Sequence, residues 1–353
     1  MISEPMISES VLVRRQGAVG RLTLNRPRSL NALSLDMIRL IAAALDEWEH
    51  DDAVRTVVLD GAGERGLCAG GDVRFMVEDA ADPASEGHQA AVLLAEEYRL
   101  DARIARYPKP YVALMDGVVM GGGVGLSAHR RLRVATPRTR IAMPEVTLGY
   151  VPDVGGTWLL AHTPGEIGTH VALTSARLTA ADAVYCGLAD VVVGEETLGA
   201  LVEGLAAGGD PDEVAGRLAV DPGPAPIAEA RDWIDAAYSA EDPSEIVAAL
   251  RDGGHHEPAD AIGKASPLAV TVTLRALREA RALPDLEHAL AAEYRLSRCC
   301  VRWPDFTEGV RATLVDRNRA PRWCPSTPEG VTDDVLARFA EGTRDSDPVL
   351  GLT

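Results

Sequence analysis

Tyr111-Val112-Ala113-Leu114-Met115-Asp116-Gly117-Val118-Val119-Met120-Gly121-Gly122-Gly123-Val124-Gly125-Leu126-Ser127-Ala128-His129 is the stretch whose reading decides the fold class. Its opening apolar run predicts a buried strand over Tyr111–Asp116. Pro108-Lys109-Pro110 just before it stops a helix predicted from about His88 to Arg106. The glycine run Gly121–Gly123 then opens an apolar helical segment to about His129. Helix, strand, glycine turn and helix in succession are the signature of α/β architecture with crossovers.

The same alternation extends in both directions. Upstream, Val11–Arg15 and Val19–Asn25 read as a hairpin around Gly17. Ser34 is placed to cap a helix over Leu35–Glu49, in which Leu35, Ile38, Ile41, Ala42, Leu45 and Trp48 recur at helical spacing. Val54–Asp60 is a β-branched strand leading into the loop Gly61–Gly71. Downstream, Leu132–Ala135, Arg140–Ala142 and Asp190–Val193 predict short strands. Gly155–His162, Glu166–Thr174 and Ala180–Tyr185 predict helices, the last capped by Thr179. From about 196 the periodicity is mostly helical, and the polar tail after about 340 is expected to fray. These readings divide the chain into a core over 1–195, a helical extension over 196–340 and a flexible tail over 341–353.

Composition narrows the function. The 353 residues carry 53 acidic groups against 35 Lys and Arg, a formal net charge of −18. That balance opposes nucleic acid, which calls for a basic stripe, and opposes electrostatic attachment to anionic membrane. No apolar run is long enough to predict a transmembrane helix, and the acidic N-terminus lacks the basic and apolar regions of an export signal. Cys68, Cys186, Cys299, Cys300 and Cys324 are odd in number and lack disulfide or zinc spacing, so a reducing, cytoplasmic setting and no metal are expected. His255 and His256 sit in a Gly/Asp/Glu-rich stretch and read as solvated loop residues.

The chemistry concentrates between Cys68 and Gly156. Cys68-Ala69-Gly70-Gly71-Asp72 and Met120-Gly121-Gly122-Gly123 each follow a predicted strand. Two main-chain N–H groups converging there would make an oxyanion hole; tight turns with close packing are the other reading. Neither segment fits a dinucleotide or ATP pattern, and Gly125-Leu126-Ser127-Ala128-His129 only resembles a hydrolase elbow. Glu145 follows Met143-Pro144, and Asp153 follows Val151-Pro152, both in apolar surroundings. Loop acids are usually solvated, but partial burial would alter their proton affinity and suit a base or nucleophile.

Taken in order, Asn25-Arg26-Pro27, Cys68-Ala69-Gly70-Gly71-Asp72, Met120-Gly121-Gly122-Gly123, Met143-Pro144-Glu145 and Pro152-Asp153-Val154-Gly155-Gly156 resemble the crotonase (enoyl-CoA hydratase/isomerase) superfamily. Two features direct the likeness to its thioester-hydrolysing branch, acting on short β-hydroxyacyl-CoA esters of the 3-hydroxyisobutyryl type. Hydratases place a second catalytic glutamate where this chain has Gly125, and glycine where it has Asp153. The run Glu293-Tyr294-Arg295-Leu296-Ser297, then Asp305–Ala312, Asp316 and Pro321-Arg322-Trp323, resembles that branch's C-terminal extension.

The resemblance implies a ββα spiral core with a helical C-terminal region, so that the likeness covers roughly residues 10 to 325. It implies that the N–H groups of Gly71 and Gly122 form the oxyanion hole, that Glu145 and Asp153 are catalytic, and that Glu97 contacts substrate. Asn25, Arg26 and Arg28 lie on the loop that resembles the family's adenosine-side contact, where arginines suit phosphates but also suit an ordinary surface, and Ala69 is a further CoA-binding candidate. Lys109 and Lys264 are weaker candidates for the same role. It implies no cofactor beyond the CoA of the substrate, and self-association as a homo-oligomer, trimeric or other. Hydration or isomerisation on the same scaffold, and a non-catalytic CoA-binding role, are the alternatives.

Overall fold

The structure is a computed structural model that describes residues 10–352. The export-signal expectation concerns residues outside that range. Among the described residues the strands are β1 (Val11–Gln16), β2 (Val19–Leu24), β3 (Thr56–Gly61), β4 (Gly66–Cys68), β5 (Tyr111–Met115), β6 (Val118–Met120), β7 (Arg133–Ala135), β8 (Arg140–Ala142) and β9 (Val191–Val192). One sheet runs β1-β2-β3-β5-β7-β9 and a smaller one β4-β6-β8. β1 and β2 form the predicted antiparallel hairpin, and the rest of the larger sheet pairs in parallel.

The topology follows from short paired strands. In β3–β4, β5–β6 and β7–β8 the first strand lies in the larger sheet and the second in the smaller. Parallel neighbours need a crossover, and helices Leu35–Glu49, His88–Arg106 and Gly122–Ala128 supply it between β2 and β3, β4 and β5, and β6 and β7. This is the ββα spiral that the resemblance implied. Ser34 caps its helix by accepting from the Met37 N–H, and Thr179 forms a capping box with Asp182.

The chain folds as two compact units that interleave along the sequence. One comprises residues up to Gly71, Leu100–Ile141 and Leu178–Ala228; the other comprises Asp72–Arg99, Ala142–Arg177 and the chain from Glu229 onward. The first holds the larger sheet, with Val58, Val112, Leu114 and Val134 packed against Leu201, Val202 and Leu205. The second is helical, and its two long helices Pro267–Ala280 and Leu286–Arg302 bury one stripe each.

Some elements differ from expectation. The loop Gly61–Gly71 contains β4, and Asp72 caps an unpredicted helix, Val73–Ala81. Only Met76 and Asp79 of that helix are buried, too thin a stripe for periodicity to register. The strand Val118–Met120 lies between Gly117 and Gly121 and reads as part of the glycine turn. His256 is exposed, as expected, but begins helix His256–Lys264 rather than lying in a loop, and the His255 ring stacks on Trp233 at 4.0 Å between centroids. The segment after 340 is tied down rather than fraying. The buried Asp347 carboxylate accepts from Arg302, and Arg99 donates to the carbonyls of Val349 and Leu350.

One buried side chain organises the first glycine turn. Asn31 is fully buried at φ 56°, a backbone region that asparagine tolerates better than most residues. Its Nδ2 donates to the carbonyls of Ala62 and Leu67 at 3.1 and 2.9 Å, while its Oδ1 accepts from the Arg26 N–H at 2.9 Å. The loop it anchors continues the hold, for the Leu33 N–H donates to the Gly70 carbonyl and the Ala69 N–H to the Leu30 carbonyl. Asn31→Ala should therefore destabilise the protein by about 2–4 kcal/mol, since it strands several buried polar groups. Urea unfolding checks this; a loss under about 0.5 kcal/mol would show that the loop holds without Asn31.

Candidate active site

The two glycine segments meet within the first unit. Gly70, at φ 111°, takes a conformation that favours glycine, and a Cβ there would lie 3.8 Å from the Gly122 nitrogen. Gly123 permits the approach, because a Cβ on it would stand 2.7 Å from the Cys68 carbonyl oxygen. Gly122 is the first residue of helix Gly122–Ala128, so its N–H has no intrahelical acceptor. A Cβ built on Gly71 meets nothing within 4 Å among the described residues, so the backbone borders open space. The arrangement suits two donors presented to one anionic oxygen.

The expected acids gather in the second unit. Glu97, Glu145 and Asp153 are 2, 6 and 8 % exposed, and a fourth carboxyl, Glu293, is 1 % exposed. Glu97 comes from helix His88–Arg106; Glu145 opens the short turn Glu145–Leu148; Asp153 follows Pro152 ahead of helix Gly156–Ala161. The Tyr98 hydroxyl donates to Asp153 Oδ2 at 2.8 Å, and Ser297 Oγ lies 2.7 Å from the same hydroxyl. Among the described residues, Glu97 Oε1 and Glu145 Oε2 are buried without a hydrogen-bond partner. A carboxyl oxygen left bare in a native interior is costly unless a ligand or water completes it.

Burial sets the electrostatics. It pushes Asp153 up to about 7, against the pull of the Tyr98 hydroxyl. Burial, then the Asp153 charge, raises Glu97 to about 8. Glu145 lies well above the usual carboxylate range, through burial first and the charges of Asp153 and Glu293 after it. Glu293 is pushed up to about 8 by burial, with Thr157 and Gly155 opposing. These groups therefore hold protons near neutrality, as acids and bases that exchange them in a reaction must.

The basic candidates fare unevenly. Arg26 donates to the Ala32 carbonyl at 2.6 Å and so helps to build its own loop. Arg28 is exposed, and its carbonyl accepts from Arg65. Ala69 is half-buried beside the first glycine turn, while Asn25 donates its N–H to Ser10. Lys109 donates to the carbonyls of Trp48 and Asp51, closing the end of helix Leu35–Glu49, which accounts for its charge. Lys264 is exposed at the end of its helix. Sequence reasoning gave Glu293 no place in the site. Its one signal is an acid in the buried stripe Ala289, Leu290, Glu293, Tyr294, Ser297.

The raised carboxyls predict a pH-dependent stability of definite sign. Ordinary glutamate titrates near 4.5, whereas Glu97 in the fold titrates near 8. Between those values the folded chain binds more protons than the unfolded chain, so stability falls as pH rises. The stabilisation is complete below the unfolded value and lost through the folded one. The Tm should fall between about pH 5.5 and 8.5, and Glu97→Gln should flatten that fall. A rising Tm across this interval would contradict the burial of these acids.

Comparison with known proteins places this geometry. The enoyl-CoA hydratase/isomerase family pattern matches residues 19–340. The chain is 39 % identical over 350 residues to a Xenopus tropicalis protein named 3-hydroxyisobutyryl-CoA hydrolase, mitochondrial, covering 95 % of this chain and 90 % of that one. It is 39 % identical over 353 residues to the Homo sapiens protein of the same name, covering 96 % and 90 %. Among solved structures, one described as a carnitinyl-CoA dehydratase from Mycobacterium thermoresistibile superposes with a TM-score of 0.91 at 44 % identity, covering 98 % of this chain and 99 % of that one. An enoyl-CoA hydratase from Rhodobacter sphaeroides gives 0.84 at 38 % identity, with 94 % and 97 % covered. With the glycine turns and buried acids in the expected order, the chain belongs to the enoyl-CoA hydratase/isomerase family.

Proposed function

We propose that the protein hydrolyses a short β-hydroxyacyl-CoA thioester, of the 3-hydroxyisobutyryl type, to the free acid and CoA. The observation that carries this is the buried pairing of chemistries at Asp153. A carboxyl near its midpoint of titration at neutral pH, fixed by Tyr98, belongs to the same cluster as Glu145. Two-glutamate hydration finds no second carboxyl at Gly125, which lies inside helix Gly122–Ala128.

In this reading the Gly71 and Gly122 N–H groups take up negative charge as it develops on the thioester oxygen. Losing one such donor typically costs about 10²–10³ in rate. Ionised Glu145 attacks the carbonyl carbon, the C–S bond breaks, and the departing thiolate takes a proton from Asp153. Water then hydrolyses the mixed anhydride and returns Glu145 to the carboxylate, with Asp153 accepting a proton from that water. The other route uses Glu145 to deprotonate water, which attacks directly. Label from ¹⁸O-water enters Glu145 in a single turnover only on the anhydride route. Glu97 contacts the acyl group, and Arg26, Arg28 and Ala69 serve the CoA side.

Self-association, trimeric or other, belongs to the same proposal, as does a reducing compartment; the named relatives are mitochondrial. No helix among the described residues is long and apolar enough to cross a membrane. A second reading, hydration or dehydration of an acyl-CoA, draws on the description of the Mycobacterium thermoresistibile structure.

Thiol release measured beside enoyl absorbance, over acyl-CoAs that include 3-hydroxyisobutyryl- and 3-hydroxypropionyl-CoA, separates the two readings. Glu145→Ala should lower thiol release by about 10³ or more while the protein stays folded. The kcat/KM profile should be bell-shaped, its acid limb displaced from the usual carboxylate range toward neutrality because a buried base must first ionise, and its alkaline limb set by loss of the Asp153 proton. Thiol release that survives Glu145→Ala would sink the assignment.

A further inference from the structure

Glu293 is the one carboxyl of the cluster with no part in the chemistry above, and its contacts point elsewhere. Its Oε2 accepts from the Gly155 N–H at 2.6 Å, and its Oε1 from the Thr157 N–H at 2.8 Å and from the Thr157 hydroxyl. These donors stand two and four residues beyond Asp153, at the start of helix Gly156–Ala161. Gly155 caps that helix and offers no side chain, so Glu293 supplies the missing acceptor from a distant helix.

The turn it holds is one the chain resists. Val154 sits at φ 54° and Gly155 at φ 78°. A β-branched residue in the left-handed region is strained and persists only where its surroundings over-determine it. Three hydrogen bonds converging on one buried carboxyl group supply such a hold. Pro152 restricts the other side of Asp153, and the Gly156 N–H closes the turn on the Asp153 carbonyl at 2.6 Å. The same face of helix Leu286–Arg302 carries Ser297, one turn beyond Glu293, against the Tyr98 hydroxyl that holds Asp153 Oδ2.

We propose that Glu293 is a positioning residue for Asp153: it clamps the Val154–Gly155 turn from behind, while Ser297 on the same helix face steadies Tyr98 in front. This rests on the thioesterase reading, in which Asp153 moves the proton. Glu293 touches neither substrate nor the reacting atoms. It determines whether the Asp153 carboxyl stands where Tyr98 can hold it.

Glu293→Gln keeps the shape but turns one acceptor oxygen into an amide donor facing an N–H. Thr157→Val keeps the shape and removes only the hydroxyl. With 3-hydroxyisobutyryl-CoA, Glu293→Gln should lower kcat about 10–100-fold with KM within about threefold, and Thr157→Val should lower kcat about 3–10-fold. The pH profile gives a readout that loss of fold would not move. The titratable groups around Asp153 are Glu97 and Tyr98 from one helix, Glu145 and Tyr150 from the segment before it, and Glu293 and Cys300 from another. Loosening the Tyr98 donor on Asp153 should move the Asp153 limb of kcat/KM toward higher pH.

A folded Glu293→Gln protein with the parent's kcat and limb, or with only a lower Tm, overturns the inference. Should that variant fail to fold, Thr157→Val decides it alone on the same two readouts. The underlying reading fails differently. The parent then releases no thiol, or Asp153→Asn is as active as the parent.

Discussion

Several carboxyl groups cannot all be charged in one dry interior, and much of the second unit's construction answers that constraint. Ionised together, Glu97, Glu145, Asp153 and Glu293 would repel at short range in a medium that screens poorly. The fold meets this in two ways. It leaves protons on the cluster near neutrality, and it meets two of the acids with donors: Tyr98 for Asp153, and Gly155 with Thr157 for Glu293. The two acids with a bare oxygen, Glu97 and Glu145, are those that the functional reading gives to the substrate. Such a distribution separates groups held by the protein from groups waiting for something else.

The glycine turns show the complementary constraint. Backbone donors are useful only where the chain leaves them unused, and the chain can come close only where side chains are missing. Gly70 and Gly123 meet the second condition, and the position of Gly122 at a helix start meets the first. Asn31 then fixes the loop that carries Gly70 and Gly71, through bonds that span the sequence from Arg26 to Leu67. Neither the net charge of −18 nor any cluster of arginines enters this construction. The functional reading therefore asks main-chain dipoles, rather than bulk charge, to meet the substrate's negative charge.

What could be read in the sequence, and what could not, follows from range. The helix Leu35–Glu49 was legible to the residue because its apolar stripe and its cap are both local. The strands Gly66–Cys68 and Val118–Met120 were not, since each is embedded among glycines that read as turn and their pairing is with each other. Glu145 and Asp153 could be named because proline, glycine and apolar neighbours surround them in sequence. Glu293 could not, because the turn that it holds lies 138 residues earlier. The interleaving of the two units is likewise invisible to any reading that cuts the chain at one point. The polar tail reads as free to fray because the partners of its Asp347, Arg298 and Arg302, stand on another helix.

That last contact has a practical side. Asp347 puts a fully covered carboxylate between Arg298 and Arg302, on the helix that also bears Glu293 and Ser297. Shortening the chain ahead of Asp347 would strip the counter-charge from two largely covered guanidinium groups and expose the outer flank of that helix. The final residues are thus a clasp. A purification tag or protease site that displaced Asp347 would unseat the pairing that covers this flank of the helix.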